Sequence, residues 1–433
     1  MEDVVDIVIG EARRYFNAPM NRFWFGPHLT IIATDPGYIL KLLNHPLATH
    51  KEEFIYGGFS DIAGKGVFTR NGDEWRRMRK DLMNRVQPKS LQGFQQLITR
   101  RLATLCSVLD SKSLAGPVDL PHYLKLFALD VVIESSMGME SINETENNKY
   151  NFPVIFQRAM HDAVLFSISA KRIFGIASNK KLRDWARLLT ELPKDILRHR
   201  QQYIQKYGEP EKSNLADLVL STGKIEGLTL DEMSEVAIDL LIAGMDTSSV
   251  VMSTTLLMLA IHQNCQERAY NELKDIFGDS TRQPEEEDLK KMEYLDMCVN
   301  EALRHCAPPV TARRVEDNIH LDDYVLPKGA ILFLGHEMLL KDPKYWENPE
   351  SFYPEHFTTE AVRSRPKGAL MPFNAGPRRC PAQAYSFQLM RNTISTILRR
   401  YHLSSLVKFE DLNFKFSLLK EPSNYSIILK RRT

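Results

Sequence analysis

The sequence predicts a mainly α-helical fold with a small share of β-strand. Apolar residues recur at helical spacing from about Leu120 to Arg200. A second helical pattern begins with a capping box at Thr229 and runs without proline to about His262, roughly 50 Å, which is enough to cross a large domain. Strand-like segments are short and lie outside these two regions, at residues 22–34, 319–321, 330–334, 414–418 and 425–429. The last two predict a terminal hairpin with residues 421–424 at its tip.

The composition is that of a soluble globular protein and argues against several classes of function. The 433 residues are 43% hydrophobic and 26% charged, and the net charge of +1 gives no reason to expect a nucleic-acid partner. The cysteines are odd in number and lack paired metal-ligand spacing, which predicts free thiols in a reducing compartment. They are Cys106, Cys265, Cys298, Cys306 and Cys380.

The amino-terminal part predicts a helix, a pair of strands and a loop beside a pocket. Residues 1–10 contain short apolar runs broken by aspartate, which predicts neither a membrane anchor nor a signal peptide. After a first short helix, two strands at 22–34 flank a Gly-Pro turn, and Asp35 and Pro36 begin the next helix. Residues 56–70 are rich in glycine and predict a loop that borders a pocket.

A basic helix that begins at Asp73 places Trp75 and Arg79 on one face. Such a pair can donate an indole N–H and a guanidinium to one carboxylate, although a basic helix is more commonly a solvated surface. The other cations of this region predict a weak site for an acidic redox partner: Arg76, Arg77, Lys80 and Arg85.

The middle of the long helix carries the residues 243–248, Ala-Gly-Met-Asp-Thr-Ser. Gly244 and the small alanine before it let a ligand approach the backbone, while Asp246 and Thr247 supply an acid and a hydroxyl for a proton relay. The alternative is a threonine hydroxyl bonded to the preceding helical turn and an aspartate on a polar face. Asp239 and Asp246 argue against a membrane span.

Glu301 and Arg304 lie one turn apart on a predicted helix. This spacing also occurs in ordinary exposed ion pairs, which contribute about 0–1 kcal/mol each. Three short segments with further motif residues follow this pair along the chain. The first contains Pro308, Pro309 and Arg314, the second contains Asp342-Pro343 and Trp346, and the third is residues 352–357 with His356.

The stretch from Phe373 to Ala382 contains the most informative cysteine. Gly-Pro and two arginines predict a tight turn, and Pro381 suits the first position of a helix. Cys380 would then cap that helix, where the helix dipole and the arginines favour the thiolate that binds metals. The alternative is a structural cysteine on a turn.

The run Phe-x-x-Gly-x-Arg-x-Cys from Phe373 to Cys380 resembles the haem-ligand loop of the cytochrome P-450 family. The other motifs occur in the family's order, so the resemblance covers nearly the whole chain. It implies a triangular helical bundle with a long central helix over haem and a small β-rich lobe. It also implies that residues 1–433 form a single domain.

The resemblance also implies roles for the motif residues. Cys380 would be the thiolate ligand of the iron of haem b, and Asp246 and Thr247 would deliver protons for oxygen activation. Contacts to haem, most of them to its propionates, would come from Trp75, Arg79, Gly244, Arg314, Phe373 and Arg378. Three residues would hold the segment beneath the haem in place and are called the lock here: Glu301, Arg304 and His356.

The function that the resemblance implies is monooxygenation of a hydrophobic substrate, such as a fatty acid, hormone or xenobiotic. One atom of O2 would enter the substrate, with electrons from NADPH through a flavoprotein reductase and with cytochrome b5 as a further candidate partner. The family also implies the cytoplasmic face of the endoplasmic reticulum membrane, although its usual anchor and hinge are absent from residues 1–10. Residues 25–28 and 75–80 favour the animal branch that contains fatty-acid ω-hydroxylases.

Three positions depart from the family or from that branch. Ala382 replaces a usual glycine and predicts lower haem affinity. His356 replaces a usual arginine, which makes the lock pH-sensitive in principle. Ala243 replaces a glutamate that some members of the branch link covalently to haem, and alanine forms no such ester.

Two other functions remain open on the sequence. One is a haem-thiolate isomerase or dehydratase that needs no reductase, and Asp246 and Thr247 argue against it. The other is a non-catalytic binder of haem or an apolar ligand, which Ala382 and the absent anchor motivate.

Overall fold

The computed structural model describes residues 18–432 apart from 86–92, 140–143, 148, 168, 170–178, 210–213, 309, 417 and 424. The first short helix predicted for the amino terminus lies outside the described residues, as does Pro309.

Helices dominate the described residues, as predicted. The helices of the first half are α1 (Pro36–Asn44), α2 (Glu53–Ala63), α3 (Gly72–Arg85), α4 (Phe94–Ser113), α5 (Leu120–Val132), α6 (Glu144–Asn147), α7 (Phe152–Ser167), α8 (Lys180–Tyr207) and α9 (Leu215–Glu226). Those of the second half are α10 (Leu230–Ile261), α11 (Gln263–Phe277), α12 (Glu286–Leu289), α13 (Glu293–Cys306), α14 (His336–Leu340), α15 (Thr359–Ser364) and α16 (Gln383–Arg400).

The strands of the described residues form one four-stranded sheet and three pairs. They are β1 (Met20–Phe25), β2 (His28–Ala33), β3 (Thr311–Arg314), β4 (Ile319–Leu321), β5 (Tyr324–Leu326), β6 (Ile331–Leu334), β7 (Tyr401–Ser405), β8 (Asn413–Phe416), β9 (Lys420–Ser423) and β10 (Ile427–Arg431). The sheet has the order β1-β2-β6-β3, with β2 and β6 parallel, and it packs with α1 around its own apolar cluster. This is the small β-rich lobe that the resemblance implied.

Helix α10 is the long helix predicted from the capping box. The Thr229 hydroxyl accepts from the Glu232 backbone N–H at 3.3 Å, and the Glu232 carboxylate accepts from the Thr229 N–H at 2.8 Å. The helix is apolar and long enough to cross a membrane by length and composition, but 78% of its apolar window is buried inside the protein. It packs against α5, α8 and α13 as a core helix.

Two predictions about backbone structure are wrong. Residues 56–70 are not a loop throughout, because α2 extends to Ala63 and buries Phe59, Ile62 and Ala63 at helical spacing. The strands at 414–418 and 425–429 do not pair with each other. Instead β8 pairs with β9, and β10 pairs with β7, so residues 421–423 lie in a strand rather than at a hairpin tip.

Candidate functional site

The loop before Cys380 is a tight turn held by backbone contacts. Gly376 has a φ of +68°, and a Cβ at this position would collide with the Leu43 carbonyl oxygen. The Cys380 backbone N–H donates to the Phe373 carbonyl at 2.8 Å. The loop therefore has a fixed shape, with Cys380 half-buried near its end.

The helix after this loop begins later than predicted. Pro381 was expected at its first position, but α16 begins at Gln383 with Ala382 as the N-cap residue. Cys380 therefore does not cap the helix. Burial raises the pKa of its thiol, although the Ala382 backbone N–H and the charge of Arg79 act in the opposite direction. The predicted preference for the thiolate stays a prediction.

Arg378 is fixed by four contacts. Its guanidinium lies 3.7 Å over the Trp75 ring, and its Nε donates to the Thr49 carbonyl at 3.1 Å. Its Nη2 donates to the Arg70 carbonyl at 2.8 Å and to Asn71 Oδ1 at 2.9 Å. Its Nη1 is buried and has no hydrogen-bond partner among the described residues. A buried guanidinium N–H without an acceptor indicates room for an anionic ligand.

Two further cations are buried close to Arg378. Lys51 is 7% exposed and Arg313 is 2% exposed. Burial lowers the pKa of Lys51, and the charges of Arg313 and Arg378 lower it further. Burial and Arg313 also lower the pKa of Arg378 to about 9. We call Lys51, Arg313 and Arg378 the cation cluster. Because these positive charges repel one another, an anion beside the cluster would be stabilised.

Arg314 does not join this cluster. Successive residues of β3 point to opposite sides of the sheet, so Arg313 faces the interior while Arg314 faces outward. The Arg314 guanidinium is 3.2 Å from Glu52, and its side chain is 47% exposed. The contact of Arg314 with haem therefore stays a prediction, and Arg313 is the buried arginine of the pair.

Trp75 and Arg79 lie on one face of α3, as predicted. Trp75 is buried, and Arg79 donates to the Arg379 carbonyl at the cysteine loop. An open cavity of about 370 Å³ lies beside this face of α3 and the loop. Its lining residues are Pro46, Thr49, Trp75, Arg76, Arg79, Lys80 and Pro377.

The middle of α10 has one open face. Ala243 is exposed although its neighbours Ile242 and Met245 are buried. The half-buried Thr247 donates from Oγ1 to the Ala243 carbonyl at 2.7 Å. This is the hydrogen bond to the preceding helical turn that a purely structural threonine would make. A Cβ on Gly244 would overlap with Val132 of α5, so helix packing accounts for this glycine. Its contact with a cofactor stays a prediction.

Asp246 points away from this open face and is 2% exposed. Its carboxylate is 4.0 Å from Nζ of Lys125 on α5, and the same ammonium is 2.7 Å from Glu421 on β9. Burial opposes the charge of Lys125, but Glu421 and Asp246 together raise its pKa. The predicted acid therefore belongs to a buried ion triad of Asp246, Lys125 and Glu421.

Glu301 and Arg304 form a buried lock rather than an exposed pair. Arg304 donates to both oxygens of Glu301, at 2.9 Å and 2.7 Å, and both residues are at most 2% exposed. Glu301 also accepts from the Tyr353 backbone N–H at 2.9 Å, and its second oxygen lies 3.1 Å from His356 Nδ1. Burial alone would raise the pKa of Glu301, but Arg304, His305 and His356 hold it well below its usual value.

Comparison with known proteins assigns the family. The family model described as cytochrome P450 matches residues 9–429. The chain belongs to the cytochrome P450 family. Cytochrome P450 4V2 of Homo sapiens is 27% identical over 452 residues, covering 98% of this chain and 85% of that protein. Cytochrome P450 4c3 of Drosophila melanogaster is 27% identical, covering 94% and 80%.

The relatives are animal proteins, which confirms the predicted likeness to the animal branch. A crystal structure of the cytochrome P450DA haem domain has a TM-score of 0.82 and 19% identity, covering 100% of this chain and 94% of that one. At this identity the likeness shows the fold, and the predicted P450 fold is confirmed. As a cytochrome P450, the chain is a haem-thiolate monooxygenase.

The residues of this P450 fit a haem group. Haem carries two propionates, and the cation cluster offers buried positive charge together with the unpartnered Arg378 Nη1. The loop ending at Cys380 adjoins the same cluster through Arg378. The two negative charges of the propionates suit the buried cations, and the iron suits a thiolate ligand from Cys380.

Sequence reasoning missed Lys51, Arg313 and Lys125, and it placed Glu421 at a hairpin tip rather than beside Lys125. Lys125 carried a signal, because it lies within the apolar run Leu124-Lys125-Leu126-Phe127. A lysine in such a run is exposed or has a buried partner. Lys51 carried no comparable signal.

Proposed function

We propose that this cytochrome P450 binds haem through Cys380 and the cation cluster and oxygenates a hydrophobic substrate with electrons from NADPH delivered by a flavoprotein reductase. The buried Arg378 Nη1, which has no acceptor among the described residues, is the observation that carries the proposal. Arg378 belongs to the cysteine loop, and burial together with the charge of the neighbouring Arg313 lowers the pKa of both Arg378 and Lys51.

Arg378 and Arg313 would hold the propionates, and Lys51 would supply a third positive charge. The Trp75 ring lies 3.7 Å from the Arg378 guanidinium and helps to hold it in place. Arg79 lies near enough to Cys380 to favour the thiolate form. When bound, the haem supplies the activation of O2 that side chains cannot provide.

Thr247 is the proton donor that we propose for the open face of α10. Its hydroxyl hydrogen bonds to the Ala243 carbonyl, and the oxygen keeps lone pairs free to bind a water molecule. Asp246 would pass protons to Thr247. Since Lys125 and Glu421 hold Asp246 in the core, a water chain or a rotamer change must connect the carboxylate to Thr247.

The partner surface would lie on α3 beside the cysteine loop. Arg76, Arg77 and Lys80 are exposed, and two of them line the open cavity there. An acidic reductase, or cytochrome b5, has the charge that suits this surface. We also propose that residues 1–433 fold as a single P450 domain that works at the cytoplasmic face of the endoplasmic reticulum membrane, as expected for this family.

The test is reconstitution of the haem-loaded protein with a flavoprotein reductase and a panel of long-chain fatty acids, steroids and drugs. The proposal expects product formation that requires NADPH, reductase and O2 together. Turnover of peroxide substrates without NADPH would instead indicate an isomerase or dehydratase. Haem binding without any turnover would indicate the non-catalytic binder.

A further inference from the structure

Glu421 holds the Lys125 ammonium more closely than Asp246 does. The Lys125 Nζ lies 2.7 Å from Glu421 Oε1 and 2.8 Å from Glu421 Oε2, so both oxygens bind it. The distance from the same Nζ to Asp246 Oδ1 is 4.0 Å, which is too long for a hydrogen bond. All three side chains belong to residues that are at most 6% exposed. Lys125 therefore attracts Asp246 without forming a hydrogen bond to it.

Strand β9 fixes the position of Glu421. It pairs with β8, and Glu421 lies opposite Lys415 in that pairing. The adjacent Lys420 is 3.0 Å from Glu337 of α14, and both of these residues are buried. The strand is thus held on two sides, while the ammonium of Lys125 sits on a flexible four-carbon stem. Lys125 is the member of the ion triad that can move most easily.

A small movement of Lys125 would change how Asp246 is held. Charge-assisted N–H···O bonds are about 2.7–2.9 Å long, so a shift of about 1 Å would bring the ammonium to Asp246. Such a buried ion pair would fix the carboxylate on a side of α10 that is about 100° around the helix axis from Thr247. An acid fixed in this way has to break the bond before it can pass a proton to Thr247.

We propose that Glu421 is a positioning residue for proton delivery, because it binds the Lys125 ammonium and so keeps Lys125 from pairing directly with Asp246. The proposal rests on the proposed function, in which Asp246 passes protons to Thr247. Glu421 acts through Lys125 and Asp246 and not on the reacting atoms. Lys125 in turn supplies the positive charge that both buried carboxylates need.

Glu421→Gln is the first test, because glutamine keeps the shape and one acceptor oxygen but removes the charge. A crystal structure of the haem-loaded variant should show the Lys125 Nζ within about 3.2 Å of Asp246, whereas wild type should keep a distance of about 4 Å. The same variant should also form at least about threefold less product per NADPH and release more peroxide, because breaking a charged hydrogen bond slows proton delivery by about tenfold. This ratio is measured with reductase and lauric acid, or with the most active compound of the panel if lauric acid is not turned over.

Glu337→Gln is the matched control for a loosened strand. Glu337 is another buried carboxylate that holds β9, but its partner is Lys420 and not Lys125. This variant should lose thermal stability as Glu421→Gln does. It should keep both the wild-type distance between Lys125 and Asp246 and the wild-type ratio of product to NADPH.

The double variant Lys125→Met with Glu421→Gln tests the charge directly. It replaces the buried ion pair by neutral side chains of similar size, an exchange that proteins often tolerate. No ammonium is then left to capture Asp246, so the double variant should form more product per NADPH than Glu421→Gln alone. If Glu421→Gln does not fold, the double variant should stay within about twofold of the wild-type ratio.

Three results would overturn this role for Glu421. The first is a distance between Lys125 and Asp246 that Glu421→Gln leaves unchanged. The second is an equal loss of product per NADPH in Glu421→Gln and Glu337→Gln. The third is a double variant that forms no more product per NADPH than Glu421→Gln, or that falls outside the twofold range where the single variant does not fold.

The crystal structures also separate this role from the proposed function. A wild-type protein that turns over no compound of the panel would refute the proposed function, and the measured distance would still decide whether Glu421 controls the pairing of Lys125 with Asp246. An unchanged distance in a protein that is active with NADPH would refute the role of Glu421 alone.

Discussion

Replacing Glu301 by Gln should destabilise the protein much more than an ordinary surface mutation. The carboxylate receives two bonds from Arg304, one from the Tyr353 backbone and one contact from His356, all buried. Glutamine has nearly the same shape, but it carries no charge and has one acceptor oxygen. The guanidinium of Arg304 then stays buried without its counterion.

Removing one partner of a buried ion pair typically costs about 3–5 kcal/mol. Unfolding entropy is about 2.1 cal/mol/K per residue, which gives about 0.9 kcal/mol per degree for the 433 residues. The melting temperature of Glu301→Gln should therefore fall by about 3–6 °C. Circular dichroism of the haem-loaded protein at a fixed scan rate measures this change.

The pH dependence of this loss follows from the lowered pKa of Glu301. A carboxyl with a depressed pKa stabilises the fold above its unfolded value of about 4.3, and this contribution is lost as pH falls through the folded pKa. The difference between wild type and Glu301→Gln should thus stay constant from about pH 8 to about pH 5 and shrink below that range.

Glu355→Gln is the control for this prediction. Glu355 lies one residue before His356 and pairs with Arg268, whose side chain is 56% exposed. The Glu355 side chain is 25% exposed, so solvent screens this pair, which contributes about 0–1 kcal/mol, and the variant should melt within about 1 °C of wild type. Equal losses in the two variants, or no loss in Glu301→Gln, would refute the argument that the buried lock stabilises the segment beneath the haem.

The remaining predictions concern three other positions. Thr247→Ala should keep the affinity for substrate but divert electrons from NADPH into peroxide, and unchanged coupling of NADPH to product would remove Thr247 from the proton path. Lys125→Met should cost about 3–5 kcal/mol, because Asp246 and Glu421 lose their buried counterion, and a melting temperature equal to wild type would contradict the triad. Ala382→Gly should raise haem content after identical expression, because it removes a methyl group that crowds the haem. The φ of −102° at Ala382 does not itself require glycine. Unchanged pigment content would show that the methyl group is accommodated.

The elements with strong local signals were predicted well. The capping box at Thr229 and the absence of proline predicted α10 almost to the residue, because both signals act within a few residues of the helix end. The first strand pair and α1 followed from the Gly-Pro turn and the Asp35 cap. Within the predicted loop at 56–70, residues 56–63 are helical because tertiary packing of Phe59 and Ile62 outweighs the low helix propensity of glycine.

The side-chain partners in the site were harder to predict. Arg313 and Arg314 are adjacent, and the sequence cannot tell which faces inward, because a strand alternates sides and its register is set by β6. The partner of Asp246 could not be found either, since Lys125 and Glu421 are far from it in sequence and come together only through packing of α5, α10 and β9. Motif spacing therefore predicted which segments form the site but not which side chains contact one another in it.

The visible absorbance of the reduced, carbon monoxide-bound protein tests the central claim most directly. Wild-type protein should show the Soret band typical of thiolate ligation, and Cys380→Ala should lose it while remaining folded. Cys265→Ala, which removes another partly exposed cysteine, should keep the wild-type band. A thiolate band that persists in Cys380→Ala, or a wild-type protein that binds haem without that band, would contradict the assignment of Cys380 as the iron ligand.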